Sequence, residues 1–238
     1  MTKCAYAATV STFLNDVRTG SLQRLMEEGA RTAGFGFGKS EQYSWSANAP
    51  HIARLVKHVH PEAMIVLELL EPIARCRADV VLFGVDAAGT QRLIVLELKQ
   101  WSSFEVVEDS PDFVRANVYG SRITEILHPS LQAALFVERL RYWVESCHSH
   151  HRAALSCSAY AVLFSLPEPA ISSLRGGQYS SLQERAPTIG APEIELCAHT
   201  EPRAQTRRWT SGLRPFCLQC NPTQQAIYRI CSGRHQRS

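Results

Sequence analysis

The sequence predicts an α/β domain, a mixed sheet with antiparallel hairpins flanked by helices, on three observations. Three runs rich in Val, Ile and Leu follow one another at MIVLELL (64–70), RADVVLFGV (77–85) and RLIVLELKQW (92–101), separated by little more than EPIARC and DAAGT. Short apolar runs bounded by turn residues read as buried strands, and connectors this brief join antiparallel neighbours. Helical periodicity both precedes and follows this block. Over 238 residues, 45% hydrophobic and 20% charged content is enough to bury a core, which excludes a disordered or collagen-like chain.

Taken in order, the N-terminal MTKCAYAATVSTF has no apolar run of signal-peptide length. No later stretch approaches the roughly 20 apolar residues of a membrane span, so a cytoplasmic chain with no membrane partner is expected. Thr12 or Ser11 is expected to cap a short helix through Val17, and Ser21 to cap LQRLMEEGARTA. The string AGFGFGKS at 33–40 lacks the first glycine of a G-x-x-x-x-G-K-S phosphate loop and follows a helix, not a strand, so it reads as a helix connector without ATP binding. SEQYSWSANAPHIARLVKHV then gives one or two further helical segments around Pro50.

After the three strands, weaker ones are expected at 114–119 and 122–127. Pro129 suits the start of a helix to His148, in which Ala133, Phe136, Val137, Leu140, Val144 and Cys147 form one apolar face. SAYAVLFSL (158–166) is a further strand. These elements make residues 1–187 one domain. From 188 to 238 there are seven Arg, no Lys and three Glu, against 18 basic and 19 acidic residues in 1–187, which reads as a basic, poorly ordered tail. Such a tail can attract nucleic acid or be a plain solvated extension. The eight Cys of a cytoplasmic chain are expected to be thiols. Cys217, Cys220, Cys231 and His235 are zinc-like in type, with no apolar pattern to build a finger around them.

The chemistry concentrates at Asp79 and at Glu97-Leu98-Lys99. Residues two apart in a strand face the same way, so Glu97 and Lys99 project together. Asp79 and Glu97 are equally distant from Ala88 in the hairpin loop, so a simple register sets them opposite each other. Their Cβ atoms would then be about 5 Å apart, and like charges at that spacing need something positive between them. A lone E-x-K is a structural pair on a sheet face. With Asp79 in register, two carboxylates and a lysine inside apolar runs suit a hard divalent cation, Mg²⁺ or Mn²⁺, that activates water against a phosphodiester.

At these residues the sequence resembles the PD-(D/E)XK phosphodiesterase superfamily, which carries an Asp on one strand and Glu-x-Lys on the next. Glu68-x11-Asp79 with Arg77, ELKQWS at 97–102, HPSLQ at 128–132 and SEQYSW at 40–45 are together similar to the N-terminal region of the bacterial Schlafen group 3-like DNA/RNA helicase family. The resemblance spans about residues 10–187 and implies a restriction-endonuclease-like core acting on DNA or RNA. It implies that Asp79 and Glu97 hold the metal with the Leu98 carbonyl, that Lys99 is the catalytic lysine, and that Gln132 lies beside the site. Glu41 matches an acidic residue that reaches the metal in related nucleases. Glu68 either joins the acidic cluster or pairs with Arg77, and His128 is a helix cap, a phosphate contact or a core histidine. The family continues into a P-loop motor that this sequence lacks, so neither ATPase nor helicase activity is expected. The alternative is a catalytically inactive, truncated relic acting, if at all, as a nucleic-acid-binding or interaction module.

Overall fold

The computed structural model describes residues 3–71, 74–86, 89–118, 122–144, 147 and 155–190. In chain order these form β1 (Tyr6–Thr9), α1 (Val10–Thr19), α2 (Leu22–Ala33), α3 (Lys39–Val56), β2 (Met64–Leu70), β3 (Arg77–Val85) and β4 (Gln91–Lys99). There follow β5 (Phe104–Val106), β6 (Phe113–Val118), β7 (Arg122–Leu127), α4 (Pro129–Trp143), β8 (Ser156–Leu163), α5 (Glu168–Arg175), a 3-10 turn, α6 (Ser180–Arg185) and β9 (Thr188–Gly190).

The main sheet has the order β1-β2-β3-β4-β8-β9. Its first four strands are antiparallel, whereas β8 pairs parallel to β4 and β9 parallel to β8, which makes the sheet mixed. Alternation along the strands supplies both faces. Leu82, Ile94 and Leu96 pack with α1, α2 and α3, while Val81, Phe83 and Val95 pack under Ala133, Phe136 and Leu140 of α4. Strands β5, β6 and β7 form a separate antiparallel sheet, whose Val114 and Ala116 join a third apolar cluster with α5 and Tyr179.

The three central strands and the helix from Pro129 lie where the sequence analysis expects them. Several other expectations need correction. Thr9, not Thr12 or Ser11, caps α1, its Oγ1 accepting the Thr12 N–H at 3.2 Å, because the residues before it are already held in β1. Ser21 precedes α2 but its hydroxyl bonds back to Asp16 instead of capping. Of the one or two segments expected around Pro50 the structure has one, helix α3, which runs unbroken through it. The internal proline costs about 3 kcal/mol, and the continuous burial of Trp45, Ala49, Ile52, Leu55 and Val56 offsets it. Helix α4 stops at Trp143, since Val144 is extended.

The domain boundary after 187 also moves. Thr188–Gly190 form β9, a buried strand of the main sheet, so the domain includes them. The rest of the expected tail, with the zinc-like Cys217, Cys220, Cys231 and His235, lies outside the described residues. Cys4, Cys76, Cys147 and Cys157 are free thiols. Among the described residues no helix is long and apolar enough to cross a membrane.

One close approach fixes how the helical layer meets the sheet. A Cβ at Gly29 of α2 would lie 1.9 Å from the Ala5 carbonyl oxygen, beside β1. Gly→Ala in a helix ordinarily stabilises by about 1 kcal/mol. Here Gly29→Ala must push backbone from backbone, and the expected net loss is about 2 kcal/mol. The thermal midpoint should fall by about 4 to 8 °C. An unchanged or raised midpoint would mean that α2 does not seat on Ala5.

Candidate active site

The β3–β4 ladder runs from Val85↔Gln91 to Val80↔Leu96, the register that equal spacing about residue 88 requires. One more step would set Asp79 opposite Glu97, but the backbone pairing stops there. Instead Asp79 Oδ2 accepts the Leu98 N–H at 2.7 Å, so its side chain takes a place that the next backbone pair of the ladder would fill. Glu97 and Lys99 alternate with Leu96 and Leu98, and Lys99 Nζ donates to Glu97 Oε1 at 2.6 Å. The same amine lies 6.0 Å from the centre of the Trp101 ring. Lys99 is thus the positive group that two adjoining carboxylates need.

The electrostatics carry the mark of that crowding. Burial raises the Asp79 carboxyl well above the usual carboxylate range, and the charges of Glu97 and Glu68 add to the rise, with Lys99 and the Leu98 N–H opposing it. Burial likewise raises Glu68, against Arg77 and the Trp45 indole, with Glu41 and Glu97 adding. Three carboxylates therefore feel one another across three neighbouring strands.

Of the two alternatives for Glu68, the structure shows the pair with Arg77. Its Oε1 accepts the Trp45 indole N–H at 2.9 Å, and its Oε2 lies 3.3 Å from Arg77 Nη1. Arg77 also pairs with Glu41 and lies over the Phe35 ring, 5.4 Å from its centre. Glu41, on the first turn of α3, accepts the Gly38 N–H at 2.7 Å. Although burial raises it, the bonds from Arg77 and Gly38 hold its carboxyl below the ordinary value. Glu41 is bound to Arg77 and Gly38, and no described hydrogen bond or ion pair joins it to Asp79 or Glu97.

Gln132 stands half-buried in the first turn of α4, and among the described residues no hydrogen bond ties its side chain to the carboxylates. His128 is the α4 cap. Its Nδ1 accepts the Ser130 N–H at 3.1 Å, which leaves the ring proton on Nε2, 3.2 Å from the Leu174 carbonyl. It is wholly buried against Tyr179, far from a solvent-borne phosphate. The sequence analysis has Trp45 only as the last residue of SEQYSW, without a role, and does not single out Asn48. Trp45 is four residues after Glu41, the spacing that places both on one helix face, and Asn48 Oδ1 accepts from Gln100 at 2.6 Å, tying α3 to the end of β4.

The donor set fits a hard divalent cation in kind: carboxylate oxygens on adjacent strands, mutually repelling, beside an amine. Among the described residues no group of three or more His, Cys, Asp or Glu side chains is arranged to hold a metal. The fit is accordingly to an ion that takes one or two carboxylates and completes its shell with water and phosphate oxygens, as Mg²⁺ does. No protein-family model, curated protein or solved structure matches the chain.

Proposed function

We propose that this chain is a Mg²⁺- or Mn²⁺-dependent phosphodiesterase acting on DNA or RNA, with a PD-(D/E)XK core of the kind found in the Schlafen group 3-like helicase family. One observation carries the reading: strand register brings Asp79 beside Glu97-Leu98-Lys99, in the order Asp then Glu-x-Lys on consecutive antiparallel strands. Asp79 and Glu97 would hold the ion, with the Leu98 carbonyl at the same end of the β3–β4 ladder. When bound, the ion supplies Lewis acidity toward a phosphate oxygen and lowers the pKa of water. Lys99, then released from its pair with Glu97, orients the attacking water and offsets charge that develops on the phosphate. The buried Trp101 ring beside the amine keeps that charge in a medium where one amine counts for more than in water.

A second reading has its own observation. Asp79 and Lys99 each have a partner within the protein, and no three-donor group exists among the described residues. An inactive domain that binds nucleic acid without cleaving it fits that pattern. Purified chain incubated with end-labelled single- and double-stranded DNA and RNA separates the two. Cleavage with Mg²⁺ or Mn²⁺ that stops in EDTA is the expected result. Binding without cleavage under every condition would overturn the enzymatic reading.

A further inference from the structure

We infer that Glu68 is the positioning residue of the site: its left-handed backbone breaks the face alternation of β2 and β3 and so turns the Asp79 carboxylate off the sheet face and onto the Leu98 N–H. The inference rests on the reading of Asp79 as a cation ligand.

Three described non-glycine residues have positive φ, and Arg75 and Asp109 are in connectors. Glu68, at φ 54°, is inside a strand, where a side chain with a Cβ makes that conformation unfavourable. Leu67 pairs with Val80 and Leu69 with Ala78, yet Glu68 and Asp79 between them are unpaired. The register is the same on either side, so neither strand gains the extra residue of a β-bulge. What changes is the face. Leu67 and Val80 pack toward α1, α2 and α3, whereas Leu69 and Ala78, two positions away, pack toward α4. Residues two apart in a regular strand share a face, so both strands turn over at Glu68 and Asp79.

The side chain of Glu68 accounts for a backbone that Glu would not choose. The Trp45 indole donates to one of its carboxylate oxygens and Arg77 Nη1 faces the other as an ion pair without a hydrogen bond, while Arg77 is braced in turn by Glu41 and the Phe35 ring. Across the strand, the released Asp79 reaches β4 and bonds the Leu98 N–H at 2.7 Å. A regular β2 would keep residue 79 in the alternation and return Leu98 to the backbone ladder.

Three substitutions at one position test this. Glu68→Gly tolerates positive φ, Glu68→Gln keeps the Trp45 bond, and Glu68→Val resists positive φ. Two readouts are taken: Mn²⁺ affinity by electron paramagnetic resonance, and hydrogen-exchange protection of the Leu98 amide by NMR without metal. Gly and Gln are expected to stay within about threefold of wild type, and Val to lose about tenfold in both readouts, the factor that separates a left-handed β-branched residue from glycine. If Glu68→Val does not fold, Trp45→Phe, which keeps an aromatic ring but removes the indole N–H along with part of the ring, should weaken both readouts severalfold. Equal loss of Mn²⁺ affinity in Gly and Val with Leu98 protection intact would make Glu68 a direct ligand and overturn the inference, as would wild-type values in Val. If the wild type binds no Mn²⁺, the cation reading fails, and Leu98 protection alone still decides the role of Glu68.

Discussion

Asp79→Asn is expected to lower divalent-dependent cleavage by about 10² to 10³-fold, and Lys99→Ala by a similar factor, the loss seen when one preorganised charge-stabilising group is removed. Asn is nearly isosteric and keeps an oxygen for the Leu98 N–H, so the loss would come from the missing charge. Stability should move the other way for Asp79. Its folded pKa is raised, so in metal-free protein the ionised form costs stability, and the cost grows as pH rises above the unfolded value. At pH 7 in EDTA, Asp79→Asn is therefore expected to melt above wild type, and Mg²⁺ should raise the midpoint of wild type alone. Glu97→Gln should also lose cleavage but gain no stability, because it removes the opposite charge paired with the half-buried Lys99 amine. Undiminished hydrolysis by Asp79→Asn would place the chemistry elsewhere or assign it to a contaminant.

Acid should destabilise the protein through His128. Burial lowers its pKa from 6.5 to about 4, against the pull of the Leu174 carbonyl. Between those values the unfolded chain binds a proton that the native state refuses. Stability from this group is thus complete above the unfolded pKa and is lost as pH falls toward the folded one. The full loss is about 3 kcal/mol, with about 2 kcal/mol of it reached by pH 5. His128→Asn keeps a side chain able to cap α4 but not the titration, so its urea midpoint should decline less between pH 7 and pH 5 than that of wild type. Asp79, whose shift has the opposite consequence, is common to both proteins and cancels in the comparison. Parallel declines would show that His128 is protonated in the native state.

Much of this site was legible because hairpin geometry is arithmetic. Asp79 and Glu97 are equidistant from residue 88, and the Val80↔Leu96 register follows from that alone. The long apolar runs identified β2, β3 and β4 for the same reason that they are buried on both faces. β1, β5 and β9 were not legible, since three or four residues such as YAAT or TIG hold no period and exist only by pairing with a neighbour. α5 and α6 span eight and six residues and escape for the same reason. The turnover at Glu68 was invisible because nothing in MIVLELL departs from a regular strand. It depends on Trp45 and Arg77 arriving from distant positions, an instance of tertiary contacts overriding local preference.

The parallel pairing of β4 with β8 has a consequence for how the chain is made. Arg92 meets Ser156 and Lys99 meets Leu163, so β4 has no neighbour on that side until β8 has been synthesised. At ordinary translation rates of 5 to 20 residues per second the delay is roughly 3 to 13 s. During that interval β4 is the open edge of a nascent β1–β4 meander, and its Leu93–Leu96 stretch is an aggregation-prone template. Glu97 and Lys99 end that stretch with two charges on one face, the kind of feature that blocks edge-to-edge pairing between nascent chains. The residues that would perform the chemistry in the finished protein also guard the ribosome-bound one.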